Sequence, residues 1–397
     1  MKFRKFMRTV PMKLYVILAV IILFTFFSND FGLVDIQKTA IILAAAIDKT
    51  ENGFSVTTQI AVPKGSDRTT GGTSSVEIQA DGETVSDCVA NIYAKTGWVP
   101  KFVFCNLIVI GEKAAQDDVF AYLNYFMRNK YMNDSCSLAV CEGKAEELIS
   151  SQSAIDDASS LAISKLFSES SVKSGRVMPM TLKDFSIHYY GPSKSSYLPY
   201  LRTISQEGDQ SSNGSGSSGR SGGGGSGESE PEKVYSAEQT ALFVSGKMVG
   251  LLDEKLTFAF SLLKGQVCSG NMNAKEGEAN ATLTILKDKG GASLEMKGGP
   301  KAILSLNLVA RLCCKSVSSD VQEIADEEPS EEILKSAEEI LKEHLAELWD
   351  TCKESGCDLF GLQNSLYRSS LKKYAEWKDS LWDTVTPQFK TKVEAKK

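Results

Sequence analysis

Two histidines, nine cysteines and a surplus of carboxylates are what this chain offers to chemistry. Each type needs partners at a workable spacing. His188 sits in "KDFSIHYYG" between Ile187 and Tyr189, and His344 in "LKEHLAEL" beside Leu341, Leu345 and Leu348. Neither has a second ligand at a metal-binding interval, so both read as packing residues on helices. The metalloprotease pattern H-E-x-x-H, the nucleophile elbow G-x-S-x-G and the phosphate loop G-x-x-x-x-G-K-[ST] are absent. "GSGSSG", Gly214 to Gly219, matches G-x-G-x-x-G formally. No strand pattern leads into it and no helix pattern follows, and serine-glycine runs meet such patterns by chance. The vicinal Cys313 and Cys314 end an apolar strand with no second pair at zinc-ribbon spacing. The acids of "ADEEPSEE" read as a solvated turn and helix start, where carboxylates meet the positive end of the helix dipole. The expectation is therefore no catalytic residue, no metal, no cofactor and no enzyme.

The 397 residues carry a formal net charge of -6, against the basic surface of a nucleic-acid binder. The first 32 residues differ from the rest. Lys2, Arg4, Lys5, Arg8 and Lys13 precede "LYVILAVIILFTFF", Leu14 to Phe27, and the first acid is Asp30. Basic flank, apolar run and acid predict a cytoplasmic N-terminus with the body outside the membrane. The run is shorter than the roughly 20 residues of an ordinary span and suits a signal-peptide core. No A-x-A-like cleavage site follows, which favours an uncleaved single-pass anchor over a cleaved signal. The cysteines are odd in number and scattered, unlike a disulfide framework. One bridge is considered, Cys352–Cys357, though spacing alone does not test its geometry.

Four segments follow from composition: a basic tail and anchor at 1–32, a first folded region at 33–204, a Gly/Ser-rich linker at 205–232 and a second folded region at 233–397. The linker has no large apolar residue to build a core, so the two bodies are expected to move independently and to stay folded after it is cut. In the first, "IILAAAIDKTENGFSVTTQIAVP" predicts a hairpin joined by "SVEIQAD". "ETVSDCVANIYAKTG" predicts a helix, started by Thr84 or Asp81 and stopped by Gly97. Strands "KFVFCNLIVIG" and "SCSLAVCEG" then alternate with helices "QDDVFAYLNYFMRN", "KAEELIS" and "TLKDFSIHYYG". The second body opens with "ALFVSGKMVGLLDEKLTFAFSLLKGQV", read as strand, tight turn, short strand and apolar helix. Gly246 and Gly250 flank the reversal and Gly265 stops the helix. Three strands follow, "ATLTILKD", "GASLEMKG" and a central "AILSLNLVARLCC". A long helix from about Glu331, a second helix and a last strand "QFKTKVEAK" complete it. Trp349, Trp377 and Trp382 read as core packing first and as a partner anchor second. The class is α+β, multi-lobed mixed sheets with covering helices after one N-terminal transmembrane helix.

These stretches, in this order, resemble the Ger(x)C family, the C subunits of bacterial spore germinant receptors. The hairpin through Asp48 is similar to the family's opening. "KFVFCNLIVIGEKAA" with Gly111 and Glu112, followed by a helix ended by Arg128, is similar to its strand, turn and helix. "TLKDFSIHYYGPSKSSYLPYL" resembles the close of its N-terminal half. "TALFVSGKMVGLLDEKLTFAFSLLKG", with Gly246, Gly250 and Leu252, resembles its most recognisable element. "CDLFGL" resembles its D-x-F-G element at Asp358, Phe360 and Gly361. The resemblance implies structural roles at these positions, with no catalytic residues to carry over. It also implies a place on the outer face of the spore inner membrane, beside receptor A and B membrane subunits. Members commonly carry a lipobox cysteine after the apolar run; here the first cysteine is Cys88, so a spanning segment is expected to replace the lipid.

The leading expectation is a non-enzymatic germinant-receptor subunit supporting assembly and nutrient signalling. The alternative is an extracytoplasmic solute-binding or envelope-assembly module unrelated to germination, which a neighbouring transporter ATPase gene would favour. An exported hydrolase stands third. Direct binding of a small molecule is left open.

Overall fold

The apolar run Ile41–Ile47 and the alternation from Phe54 to Val62 make two adjacent strands. In the computed structural model they are β1 (Thr39–Thr50) and β2 (Gly53–Val62), antiparallel across Glu51–Asn52. The structure describes residues 12–27, 39–62, 74–153, 155–156, 158–205, 233–296, 299–318, 321–324 and 328–396. The basic residues before 12 and the linker at 206–232 lie outside the described residues.

β3 (Ser74–Gly82) extends the hairpin beyond β2. The short β4 (Val99–Lys101) runs parallel to the start of β1, and β5 (Leu107–Gly111) runs parallel to its later half. β6 (Ser137–Cys141) is parallel to β5, and a two-residue β7 (Met180–Thr181) pairs with it. β8 (Ser195–Ser205) lies parallel to β6. β9 (Lys233–Val244) and β10 (Lys247–Leu252) complete a ten-stranded mixed sheet. Helices α1 (Met12–Phe27), α2 (Val85–Thr96), α3 (Phe120–Arg128), α4 (Ala145–Ile149) and α5 (Leu182–Tyr189) belong to the first half of the chain. The capping of α2 is local: Thr84 and Asp87 form a reciprocal capping box, and Gly97, at φ +70°, closes the last turn on Tyr93.

Core clusters occupy both faces of this sheet, which explains the alanine-rich centre of β1. Ala45 and Ile47 join Ile108, Ile110, Phe126 and Phe185 on one side. Ala44 and Ala46 join Leu107, Val109, Leu148 and Ile163 on the other. Strands buried on both faces carry apolar runs rather than alternation. The polar face of β2 is buried too, and Gln59 there donates to Glu77 and Ser159 and accepts from the Ser160 amide. The predicted single strand "KFVFCNLIVIG" is instead β4, a 3-10 turn at Phe102–Phe104 and β5, because Phe102 turns into the core against Tyr125 and Phe126.

The linker does not separate two sheets. β8, before it, and β9, after it, pair antiparallel from Ser195↔Val244 to Ser205↔Lys233. Residues 233–252 thus finish the sheet of the first half, and the expectation of two independently moving bodies is corrected. An edge strand leaves one row of backbone groups unpaired, and β9 satisfies the row of β8.

The second sheet holds β11 (Asn271–Glu276), β12 (Ala279–Glu295), β13 (Lys301–Ser318), β14 (Val321–Ile324) and β15 (Thr386–Ala395). β13 is central, with β12 along one edge and β14 and β15 along the other. Its even-numbered residues from Ala302 to Leu312 are buried, while Asn307, Arg311 and Cys313 on the opposite face are exposed. Helices α6 (Glu254–Leu263), α7 (Glu331–Ser355) and α8 (Leu362–Ser369) pack around it. α6 is buried from Leu256 to Leu263 and touches β9, β12, β13 and α7, joining the two sheets.

Two glycine expectations change. The predicted break before "GASLEMKG" does not exist; β12 runs through Gly290 and Gly291. A Cβ on Gly290 would stand 1.7 Å from the Leu262 carbonyl oxygen, so glycine lets the end of α6 lie directly on the strand. The reversal between β9 and β10 takes its positive φ at Ser245 and Gly246, +50° and +80°. Gly250 lies inside β10 beside a bulge, without positive φ, and a Cβ there meets only ordinary contacts.

α1 is 16 residues long, about 24 Å at helical rise. Its described side chains, Leu14 to Phe24, are exposed all round. Among the described residues no helix is long and apolar enough to cross a membrane.

Gly290→Ala is expected to lower stability by about 1–3 kcal/mol or more through overpacking, whereas Gly250→Ala stays within about 0.5 kcal/mol of the parent. Urea denaturation of the two variants checks this; equal losses would contradict the placement of α6 against β12.

Candidate functional site

Asp48 and Asp358, two of the three acids among the motif positions, are both buried, and both spend their carboxylates on backbone amides. Asp48 lies near the carboxyl end of β1. Its Oδ1 accepts from Ala145 N at 2.8 Å and its Oδ2 from Glu146 N at 2.8 Å. It therefore caps α4, whose own flanking residue Lys144 supplies no cap. Gly111 completes the arrangement: a Cβ there would fall 2.0 Å from Asp48 Oδ1. Asp358 does the same for α8, accepting from Leu362 N at 3.0 Å and Gln363 N at 2.8 Å. Its own amide donates to Ser195 Oγ at 2.9 Å, which ties the loop to β8. Burial raises both carboxyls above the ordinary aspartate value, and the amide hydrogen bonds oppose that shift.

The remaining D-x-F-G positions follow from this cap. Gly361 takes φ +69° at the N-cap of α8. Phe360 stacks on Trp349 at 5.5 Å, and Trp382 meets both rings edge-on. Trp349 and Phe360 are buried, which places this aromatic group in the core; Trp377 is partly buried against it. Leu252 is fully buried where β10 hands over to α6. Gly246 sits against α3: its carbonyl accepts from Val119 N at 2.9 Å, and a Cβ would meet Asp118 Oδ1 at 2.1 Å. Gly250 is an ordinary strand residue, and the exposed Arg128 donates to Asn124 Oδ1 at 3.1 Å.

Around Asp48 the carboxyl ends of parallel strands β1, β5 and β6 converge, the position where open α/β sheets hold ligands. A cleft of about 370 Å³ opens there, with Lys49, Lys113 and Lys144 facing Asp81, Glu112 and Glu146. Glu112 accepts from Gly143 N at 3.4 Å, Lys49 pairs with Asp117, and Lys144 reaches Glu147 at 3.8 Å. The structure thus brings Asp48, Gly111 and Glu112 together, and separately Asp358, Phe360 and Gly361. The cleft can hold a small polar molecule by hydrogen bonds and charge. The hydroxyl-bearing Thr50 and Ser55 also line it.

No group of three or more His, Cys, Asp or Glu among the described residues could hold a metal. His188 Nδ1 meets Ser196 Oγ at 3.2 Å, and His344 packs on α7 with Nδ1 buried and unbonded. Burial lowers the pKa of both. All nine cysteines are unbridged. Cys357 is no disulfide partner of Cys352 here; its thiol faces the carbonyls of Phe243 and Ser196, and burial pushes it up to about 12.

The one strongly perturbed acid that sequence reading missed is Asp288. It lies on β12 where the turn after α6 arrives. Its Oδ2 accepts from Val267 N at 3.5 Å, while Oδ1 is buried without a partner. Burial raises its carboxyl to about 7. A lone Asp in a strand carries no sequence signal for this, because the desolvation comes from an element 21 residues away.

Two outcomes follow. Asp358→Ala leaves the Leu362 and Gln363 amides unbonded and is expected to cost about 1–3 kcal/mol in denaturant midpoint measurements. Asp288 holds its proton longer when folded than unfolded, so its contribution to stability falls as pH rises from about 4 to about 7. Asp288→Asn is expected to flatten that part of the stability–pH curve and to be the more stable form above pH 7; unchanged curvature would count against the buried carboxyl.

The comparisons agree with this architecture. A family model described as "Spore germination protein N-terminal domain" matches residues 33–203, and one described as "Spore germination B3/ GerAC like, C-terminal" matches 238–396. No curated protein matches the chain significantly. Among solved structures, one described as "Crystal Structure of the GerBC protein" is 16% identical, with TM-score 0.51, over 89% of this chain and 97% of that one. At that identity the likeness speaks for the mixed α+β fold. Two family models in order over most of the chain speak for more: the chain belongs to the Ger(x)C family of spore germination proteins.

Proposed function

We propose that this protein is the C subunit of a spore germinant receptor, a non-enzymatic body held on the outer face of the spore inner membrane. There it supports receptor assembly with the A and B membrane subunits and the response to nutrients. The observation that carries this reading is the ordered match of both family models, 33–203 and 238–396. The site chemistry is in keeping with it: the buried motif acids hold helices in place.

α1 supplies the tether in this reading. Its apolar side chains gain nothing by standing in water, since each buried Leu, Ile, Val or Phe is worth about 1.5–3 kcal/mol. At about 24 Å it falls short of the roughly 30 Å hydrocarbon layer, a mismatch that local thinning of the bilayer can absorb. Lys2, Arg4, Lys5 and Arg8 then keep the N-terminus cytoplasmic.

Deleting the gene is expected to abolish germination through one nutrient receptor while nutrients sensed by other receptors still trigger the spores. Affinity purification of the tagged chain from spore membranes is expected to bring down polytopic A and B subunits. Normal germination by every nutrient in a strain lacking paralogues would sink the proposal.

A further inference from the structure

The folded body exposes a group of aromatic side chains beside basic residues. The segment Trp98–Phe104 carries Trp98, Val103 and Phe104 at 43%, 48% and 61% exposure. Its strand β4 pairs with Thr39–Ile41, where Ile41 is also exposed. Tyr131 is 47% exposed, with Lys101 Nζ 4.5 Å and Lys130 Nζ 4.8 Å from its ring centre. Neither "WVPKFVF", 98–104, nor "MRNKYMN", 127–133, contains an acid, and together they carry Lys101, Arg128 and Lys130. In a chain of net charge -6 this is a local reversal of sign.

Buried parts of the same segment show that its exposure is not a packing fault. Phe102 is fully buried against Tyr125 and Phe126, so the backbone is fixed while its neighbours Val103 and Phe104 stay outside. We propose that this patch rests on the bilayer surface, with Trp98, Phe104 and Tyr131 at headgroup level and the lysines on anionic phospholipids.

Three features select a lipid surface over a protein partner. Tryptophan and tyrosine collect at membrane–water boundaries, with an apolar body and a polar tip. Lysine is depleted at protein–protein interfaces, whereas an anionic lipid surface attracts it. Position is the third. The patch borders the first residues of β1, and only residues 28–38 separate those from the end of α1. Fully extended, that connection reaches about 40 Å, so wherever α1 is embedded, this end of the body lies near the surface. With the tether holding the chain at the membrane, a basic aromatic patch beside it would set how the body rests on the surface.

The proposal rests on the anchored reading above, and one experiment separates the two. The full chain is reconstituted into phosphatidylcholine–phosphatidylglycerol vesicles with or without brominated acyl chains. Attachment is read by flotation after alkaline carbonate washing, and the patch by quenching of tryptophan emission. The chain has four tryptophans, and three of them, Trp349, Trp377 and Trp382, lie in the C-terminal half. Bromolipid is expected to quench the parent, and Trp98→Phe to remove most of that quenching with an unchanged circular dichroism spectrum. Lys101→Glu with Lys130→Glu is expected to reduce it about twofold or more. Loss of the chain to carbonate with Trp98 still quenched at neutral pH overturns the anchor and leaves the patch standing. Retention after carbonate with no quenching, or with equal quenching in Trp98→Phe, overturns the patch and leaves the anchor.

Discussion

The pairing of β8 with β9 is the interaction on which the remaining architecture depends. It joins main chain from before the linker to main chain after it, antiparallel from Ser195↔Val244 to Ser205↔Lys233. β10 and α6 are attached through β9, and the second sheet packs on α6. Closing a connection of this length adds little cost, since loop entropy grows only with the logarithm of length. The ladder removes a far larger penalty, that of leaving a row of amides and carbonyls on β8 without partners. An insertion at 206–232 is therefore tolerated while strands from both sides of it remain in one sheet.

A second constraint is the use of buried acids as remote helix caps. Asp48 reaches 97 residues along the chain to the start of α4, and Asp358 reaches four and five residues ahead to the start of α8. Each carboxylate would be costly alone in the interior, and each helix start would leave amides unbonded. Placed together, the two liabilities cancel. The glycines beside them belong to the same solution: Gly111 makes room for the Asp48 carboxylate, and Gly361 turns the chain at φ +69° so that the Asp358 cap can form. Carboxylates so engaged are unavailable for proton transfer, so the most conspicuous acids of the motifs serve the framework.

The legible part of the fold was the local part. Thr84, Asp87 and Gly97 bound α2 because every atom that caps it lies within a turn or so of the helix. The central position of β13 followed from its apolar load, and Gly265 ended α6 as its place after an apolar helix implied. Where sequence reading went astray, a distant neighbour was at work. Gly290 resembled a turn glycine, yet it is a strand residue made small by the carbonyl of Leu262. Gly250 resembled half of a reversal, yet Ser245 and Gly246 carry the whole turn. The candidate site divided in the same way. Ordered motifs pointed to Asp48, Gly111 and Asp358, but that Asp48 serves amides 97 and 98 residues on, that the Asp358 loop is tied to Ser195, and that one oxygen of Asp288 is buried depended on elements far off in the chain.

Charge asymmetry and hydropathy by themselves determined an apolar N-terminal run behind a basic flank, a polar linker, and alternating strands and helices. These are properties of neighbouring residues, set by side-chain chemistry and by periods of two and 3.6. Only the tertiary structure decided that one sheet crosses the linker, that the motif acids are caps, and that Trp98, Phe104 and Tyr131 share an exposed basic patch. Those outcomes depend on desolvation and backbone pairing between segments tens of residues apart, and neither quantity exists until the chain has closed on itself.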